Sequence, residues 1–277
     1  MIELVDIGSK VEAGSYLLHS RFRQALVFVR EPDGALVSVV DESKSAGPAH
    51  IVVRGLDLSS MRSLRVAAHS VVLGRATLPI QRRSGWRVQP AVFNAAGLDR
   101  NLGALKKALL AGASTRGIVF LLCESADCAT LSTFETEVVQ RLRAGVARLV
   151  AGDMRGAAEI HGVGFGLTPS GDDFLAGFLL GLYALEAAGG GCSTAKRQTI
   201  HEMATTGNRF SASLLRNASE GRCIEPAWSL IQALFDDTET VVVHHARRLA
   251  TVGASSGVDL ATGVYFALST RGPGAPA

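Results

Sequence analysis

Cysteine is scarce in this chain: four in 277 residues, at Cys123, Cys128, Cys192 and Cys223, with one C-x4-C pair and no C-x2-C. A zinc site or a disulfide framework is not spelled that way, and such usage fits a reduced, cytoplasmic compartment. The first residues, Met1-Ile-Glu-Leu-Val-Asp6, lack the basic segment and apolar stretch of a secretion signal. No apolar run approaches the roughly 20 residues a membrane span requires; the longest, residues 174–185, is closed off by Asp172-Asp173 and Glu186. Charged residues are few, at 19%, and nearly balanced at +3, which excludes the dense basic stripe of a nucleic-acid binder. The partners expected are therefore small molecules rather than nucleic acid or membrane. A cationic complement made mostly of Arg suits discrete carboxylates and phosphates.

Apolar residues, by contrast, make up 47% of the chain, enough for a sizeable core and too many for disorder. The first ninety or so residues alternate short β-branched runs with turn signals. Strands are expected at residues 16–18, 25–30, 35–40, 51–54, 64–73 and 86–90. Pro32-Asp33-Gly34 marks the clearest hairpin, since Pro presets one turn dihedral and Gly accepts a positive φ. From about Asn101 the spacing turns helical. Leu102, Leu105, Leu109 and Leu110 form one stripe, and Phe134, Val138, Leu142, Val146 and Leu149 another, behind Ser132 or Thr133. Further helices fit residues 172–188, 195–206, 210–219, 225–235, 239–250 and 258–268, while 117–123 reads as strand or helical turn and the tail from Arg271 as frayed. The fold class expected is α+β, with a β-rich domain over 1–95 and a helical domain over 96–277.

The chemistry concentrates in residues 161–177, His161-Gly-Val-Gly-Phe-Gly-Leu-Thr-Pro-Ser-Gly-Asp-Asp-Phe-Leu-Ala-Gly. Three alternating glycines permit close approach of backbone to a bound group before a helix opens at Ser170. The spacing matches neither a dinucleotide fingerprint nor a P-loop. Ser170 with Asp173 three residues on is an approximate capping box, which would account for those two residues without a ligand. That reading leaves the glycines and Asp172 unexplained.

The segment also has an echo. Ser170-Gly-Asp-Asp-Phe-Leu-Ala-Gly-Phe178 aligns without gaps with Ser256-Gly-Val-Asp-Leu-Ala-Thr-Gly-Val264. Each copy offers a Ser, a Gly, an acid and a small residue two turns into an apolar helix, where Gly permits close packing. Two such helix starts side by side would form a cleft for an anion or a planar amide, with Asp173 and Asp259 accepting amide N–H groups or holding a metal; Mg²⁺ held by Asp172, Asp173 and Asp259 is possible. The alternative is a pair of ordinary caps in a bundle. A third segment adds Asn208 or Ser211 as a helix start with Arg209 at its mouth, suited to a bidentate anion contact. His161 is a candidate acid or base beside the glycine loop.

Residues 164–177, the Gly207-Asn208-Arg209-Phe210-Ser211 segment and Gly253-Ala-Ser-Ser-Gly-Val-Asp259 together resemble the DUF2877 family, which includes the AllH subunit of oxamate carbamoyltransferase. The resemblance covers chiefly residues 160–265, G-L-T-P-S-G-D-D being its most specific element; it departs at Ala254, where His is frequent in the family. It implies a component of the enzyme that exchanges oxalurate and phosphate for oxamate and carbamoyl phosphate in allantoin breakdown, working with companion subunits. On that basis Asp172, Asp173, Asp259 and His161 are the candidate catalytic groups. Gly164, Gly166, Thr168, Ser170, Gly171, Asn208, Arg209, Ser211, Ser255, Ser256 and Gly257 are the candidate substrate contacts, the Gly171 and Gly257 N–H groups suiting a tetrahedral oxyanion. A non-catalytic metabolite-binding or scaffolding subunit, and a metal-dependent hydrolase, are the alternatives.

Overall fold

A computed structural model describes residues 2–55, 61–81, 83–89, 94–112, 117–123, 133–164, 166–190, 194–204 and 207–270. The expectations placed on Pro90, Cys128, Ser132, Phe165, Cys192, Thr206 and the tail from Arg271 lie outside the described residues. The protein is α+β, with a nine-stranded sheet followed by a mostly helical region. It divides into two compact units, Met1–Trp86 with Arg222–Glu225, and Arg87–Gly221 with Pro226–Ala277.

The first unit is built on strands β1 (Glu3–Gly8), β2 (Gly14–Phe22), β3 (Ala25–Arg30), β4 (Leu36–Asp41), β5 (His50–Arg54), β6 (Ser63–Val66), β7 (Ser70–Leu73), β8 (Ala76–Pro79) and β9 (Arg83–Ser84). Their order is β8-β7-β6-β2-β3-β4-β5-β1-β9, with β4–β5 and β1–β9 parallel and the other pairs antiparallel. Alternation sends Ile7, Tyr16, Phe28, Ile51, Leu64 and Leu73 into one core. The β3–β4 hairpin turns where the sequence has Pro32-Asp33-Gly34. Gly34 takes φ 71°, and Asp33 Oδ1 accepts from Ala35 N–H at 3.1 Å and from Arg30 Nε at 3.0 Å.

Two strand expectations need correction. Residues 64–73 form two strands, because Ala67-Ala68-His69 supplies a turn closed by Ala67 N–H to Ser70 O at 2.8 Å. Residues 86–89 form no strand of the sheet, only an isolated bridge at Arg87: Trp86 sits at φ 41°, outside the extended region a continuous strand requires. Its indole N–H lies 3.4 Å from Asp6 Oδ2, while Ser84 Oγ donates to Asp6 Oδ1 at 2.8 Å. Cys223 N–H, from the returning segment of the same unit, donates to Trp86 O at 3.0 Å.

The second unit holds α1 (Ala95–Ala111), a 3-10 turn (Val119–Leu122), α2 (Thr133–Val150), α3 (Gly156–Ile160), α4 (Ser170–Ala187), α5 (Thr194–Met203), α6 (Arg209–Ser219), α7 (Glu225–Asp236, from Pro226 on), α8 (Glu239–Ala250) and α9 (Ser256–Ser269). Helix α4 is buried on nearly every face from Ser170 to Leu182, as befits a helix apolar all round. It packs along α9, and the crossing is set by glycine. A Cβ on Gly177 would overlap the Leu260 carbonyl, and a Cβ on Gly263 would overlap that of Phe174. Helices α3, α5 and α6 also pack on α4, and α1 and α8 on α9. No helix among the described residues is long and apolar enough to cross a membrane.

Candidate active site at two matched helix starts

The S-G-x-D echo is the visible part of a longer structural repeat. Helix α3 ends at Ile160 and α8 at Ala250. Val163 N–H donates to Ile160 O at 3.1 Å, and Val252 N–H to Leu249 O at 2.9 Å. Each valine then accepts from the glycine of the next helix, Gly171 N–H at 2.8 Å and Gly257 N–H at 3.0 Å. Both glycines press their Cα against a carbonyl in the last turn of the preceding helix, that of Ile160 in one copy and of Leu249 in the other, so that neither position has room for a Cβ. Gly164, at φ 119°, holds the first loop against Ser170, where a Cβ would stand 2.7 Å from the backbone nitrogen. The same fold of chain is thus made twice, the first loop longer by three residues (Val163 to Ser170 spans seven, Val252 to Ser256 four).

At the mouths of α4 and α9 the two copies exchange partners. Asp173 is 3% exposed and Asp259 fully buried. Thr168 Oγ1 donates to Asp173 Oδ2 at 3.0 Å and lies 3.5 Å from Ser256 Oγ, and the Ser256 hydroxyl acts on the Asp173 charge. Reciprocally, the Ser170 hydroxyl acts on Asp259, with that of Ser255. Asp259 Oδ1 accepts from Ile118 N–H at 2.7 Å, whereas its Oδ2 is buried with no hydrogen bond among the described residues. Burial pushes the Asp173 carboxyl up to about 7, the Ser256 and Thr168 hydroxyls opposing and the nearby Asp259 and Asp172 charges assisting. Burial likewise raises Asp259 to about 6, against the Ile118 N–H and the Ser170 and Ser255 hydroxyls. Gly166, Leu167, Gly253 and Ala254 are exposed around this centre, so it lies just beneath the surface. Two desolvated carboxyls poised near neutrality beside four hydroxyls can move protons at a bound amide or carbonyl.

Several expectations change at this point. Ser170 and Ser256 are not caps. They are the first helical residues, preceded by Pro169 and Ser255, and neither helix start has a side-chain cap hydrogen bond. Carbonyls of the preceding turns take the glycine N–H groups instead, which frees the serines to meet the opposite acid. For the same reason the Gly171 and Gly257 N–H groups are engaged within the fold and are not oxyanion donors. Asp172 does not enter the centre: it is fully buried and turned back, its Oδ1 accepting from Gly162 N–H at 2.8 Å and lying 3.3 Å from His161 Nδ1. His161, a quarter exposed, thus stands with Asp172 rather than with Asp173 and Asp259. We expect Asp172→Ala, which leaves the Gly162 N–H without its acceptor, to cost about 1–3 kcal/mol. Urea denaturation of the full chain checks this; an unchanged midpoint and slope would show that the turn holds without the carboxylate.

Asn208 does cap α6. Its Oδ1 accepts from Phe210 N–H at 2.9 Å and Ser211 N–H at 3.4 Å, and its Nδ2 donates to Leu167 O at 2.8 Å, tying α6 to the glycine loop. Ser211 is buried, its Oγ without a hydrogen bond among the described residues. Arg209 is exposed at the start of α6 and makes no hydrogen bond or ion pair among them. Sequence reasoning missed Gly117 and Ile118, which reach Asp259 from 141 positions away. Gly117 has φ +119° and its Cβ would stand 2.7 Å from Asp259 Oδ1. Gly253-Ala-Ser-Ser-Gly257 has the spelling G-x-S-x-G, but a nucleophile elbow needs a strand entering the turn and here α8 enters it. Among the described residues no three of His, Cys, Asp and Glu are grouped to hold a metal.

Two like helix starts thus enclose a buried carboxyl–hydroxyl centre in the helical unit. Residues 160–268 match a family model described as oxamate carbamoyltransferase subunit AllH, which makes this stretch AllH-like and agrees with the resemblance seen in the sequence. The matched stretch contains the whole centre except Gly117 and Ile118. No curated protein and no solved structure matches the chain.

Proposed function

We propose that this chain is the AllH-type component of a carbamoyltransferase that interconverts oxamate with carbamoyl phosphate and oxalurate with phosphate, acting with companion subunits. One observation carries the reading: the Asp173–Asp259 centre, with Thr168, Ser170 and Ser256 about it, lies within the matched stretch and suits a ligand bearing an amide. Carbamoylation of oxamate joins the amide nitrogen to the carbamoyl carbon, releases phosphate and removes one proton from that nitrogen. A buried carboxylate poised near neutrality is a fitting acceptor for that proton. Arg209, exposed at the start of α6, offers a guanidinium for a carboxylate or phosphate.

Calorimetry with oxamate and with carbamoyl phosphate, for this chain alone and with its companion subunits, tests the reading. Heat with at least one compound is expected; none with either, in either setting, overturns it. A second reading, that the chain holds the metabolite while chemistry is done on another subunit, is favoured by the engagement of the Gly171 and Gly257 N–H groups within the fold. Full turnover by a complex assembled with Asp259→Asn would select that second reading.

A further inference from the structure

We propose that His161 and Asp172 form a second proton-transfer pair beside the Asp173–Asp259 centre, in which His161 Nε2 delivers a proton to the departing phosphate and Asp172 positions the imidazole. This rests on the functional reading above for the reaction and goes beyond it in assigning the second of its two protons. Joining the amide nitrogen to the carbamoyl carbon breaks the bond from that carbon to the phosphate oxygen, and the bonding pair leaves with the phosphate. The nitrogen gives up one proton, which the buried centre takes. The phosphate oxygen gains one, because the phosphate trianion is a poor leaving group and the hydrogen phosphate dianion a better one. The transfer thus needs a donor as well as an acceptor, and consumes no net proton.

Composition narrows the choice of donor. On the two loops and the start of α6, residues 161–173, 251–259 and 208–211, the titratable side chains are His161, Asp172, Asp173, Asp259 and Arg209. Arginine does not release its proton, and Asp172 is fully buried and turned back to Gly162. With Asp173 and Asp259 engaged at the amide, His161 is left, and it is a quarter exposed.

Geometry then fixes which ring nitrogen acts. Asp172 Oδ1 accepts from Gly162 N–H at 2.8 Å and faces His161 Nδ1 at 3.3 Å. An oxygen that already takes one N–H serves as acceptor for the ring as well, and a proton on Oδ2 would leave it one. Nδ1 therefore carries hydrogen, so a proton is gained and lost at Nε2 alone. Nε2 makes no hydrogen bond among the described residues. Nothing stands within 4 Å of a Cβ placed on Gly162, so the turn beside the ring is uncovered and water can reload it. Asp172 and Asp173 are consecutive, and the loop that begins at His161 brings Thr168 to Asp173. The pair and the centre therefore share one helix start.

The pair is read first in the full chain without ligand. Nitrogen-15 spectra of the neutral ring should show His161 as the Nδ1–H tautomer, the less favoured one in free histidine, and Asp172→Ala should return it to Nε2–H. A parent ring in the Nε2–H form overturns the proposal. Turnover of oxamate and carbamoyl phosphate by the complex with its companion subunits then tests the role. His161→Ala should lower kcat at least about 100-fold, in the range of a lost general acid, with KM changed less than about twofold and part of the rate restored by added imidazole. Asp172→Asn, which keeps an acceptor for Gly162 N–H, should lower kcat at least about tenfold with helical circular dichroism retained, and imidazole should not restore it. Full turnover by His161→Ala, or a loss that merely follows loss of the fold and gains nothing from imidazole, overturns the assignment. A parent complex without turnover would remove the functional reading and the phosphate role with it, while the tautomer decides the pairing separately.

Discussion

Gly177→Val is expected to abolish most of the stability of the helical unit, and Gly263→Val to do the same. Each glycine faces a backbone carbonyl of the opposite helix so closely that even a methyl group would overlap it, Leu260 O in one case and Phe174 O in the other. Overpacking of a core usually costs about 1–3 kcal/mol because side chains rotate aside. A helical carbonyl engaged in the ladder has no such freedom, so relief requires the helices to move apart, and the cost should exceed that range. The crossing also sets the spacing of Asp173 and Asp259 one turn earlier, so any folded remainder should lose the site. Urea unfolding followed by helical circular dichroism measures the effect. Gly103→Ala on α1 is the control: nothing lies within 4 Å of a Cβ there, and replacing an interior helical glycine should leave stability unchanged or raise it by about 0.5–1 kcal/mol. If the two variants unfold alike, the crossing is not the tight contact described here.

Much of the architecture was legible because its cause is local. The helical range 239–250 coincides with α8, and the β-branched run 25–30 ended by a turn coincides with β3. The echo between α4 and α9 could be read because a glycine crossing requires a small residue at the same depth in both helices. The partners of the conspicuous residues could not be read. A serine ahead of an apolar helix looks like a cap; whether it caps depends on which carbonyls the preceding turn brings to the same N–H groups, and Val163 O and Val252 O were not visible as acceptors. Asp172 and Asp173 are adjacent, yet a helix turns about 100° between them, sending one back to Gly162 and the other to the opposite copy. Ile118 arrives from a distant part of the chain, and only its backbone takes part, so no side chain could have announced it. The one available signal was Gly117, preceding a segment that fitted neither strand nor helix cleanly.

Asp173→Asn should make the protein more stable at pH 8 than the parent, by less at pH 5, and leave it nearly unchanged only near pH 4. The Asp173 carboxyl is raised from 3.8 to about 7 in the folded state, chiefly by burial, and Asp259 from 3.8 to about 6. Between the ordinary and the raised values the folded chain therefore binds more protons than the unfolded one. The stability linked to these protons is fully present below about pH 4 and is lost as pH rises through 6 and then 7, the direction opposite to that of a salt-bridged carboxylate. At 1.4 kcal/mol per unit, ionising Asp173 costs up to about 4 kcal/mol by pH 8, with little solvent screening at 3% exposure. Asparagine keeps the shape and the acceptor for Thr168 Oγ1 but cannot ionise, so it escapes this cost. Thermal melts of parent and variant across pH 5–8 measure the difference directly, and the parent should lose stability over the range in which the variant loses less. A variant less stable than the parent at pH 8 would show that the carboxylate of Asp173 is satisfied when charged and that the centre is not strained toward proton transfer. A stabilised variant that no longer binds oxamate would locate the cost of function in this carboxyl, as expected where a site holds a charge that the fold disfavours.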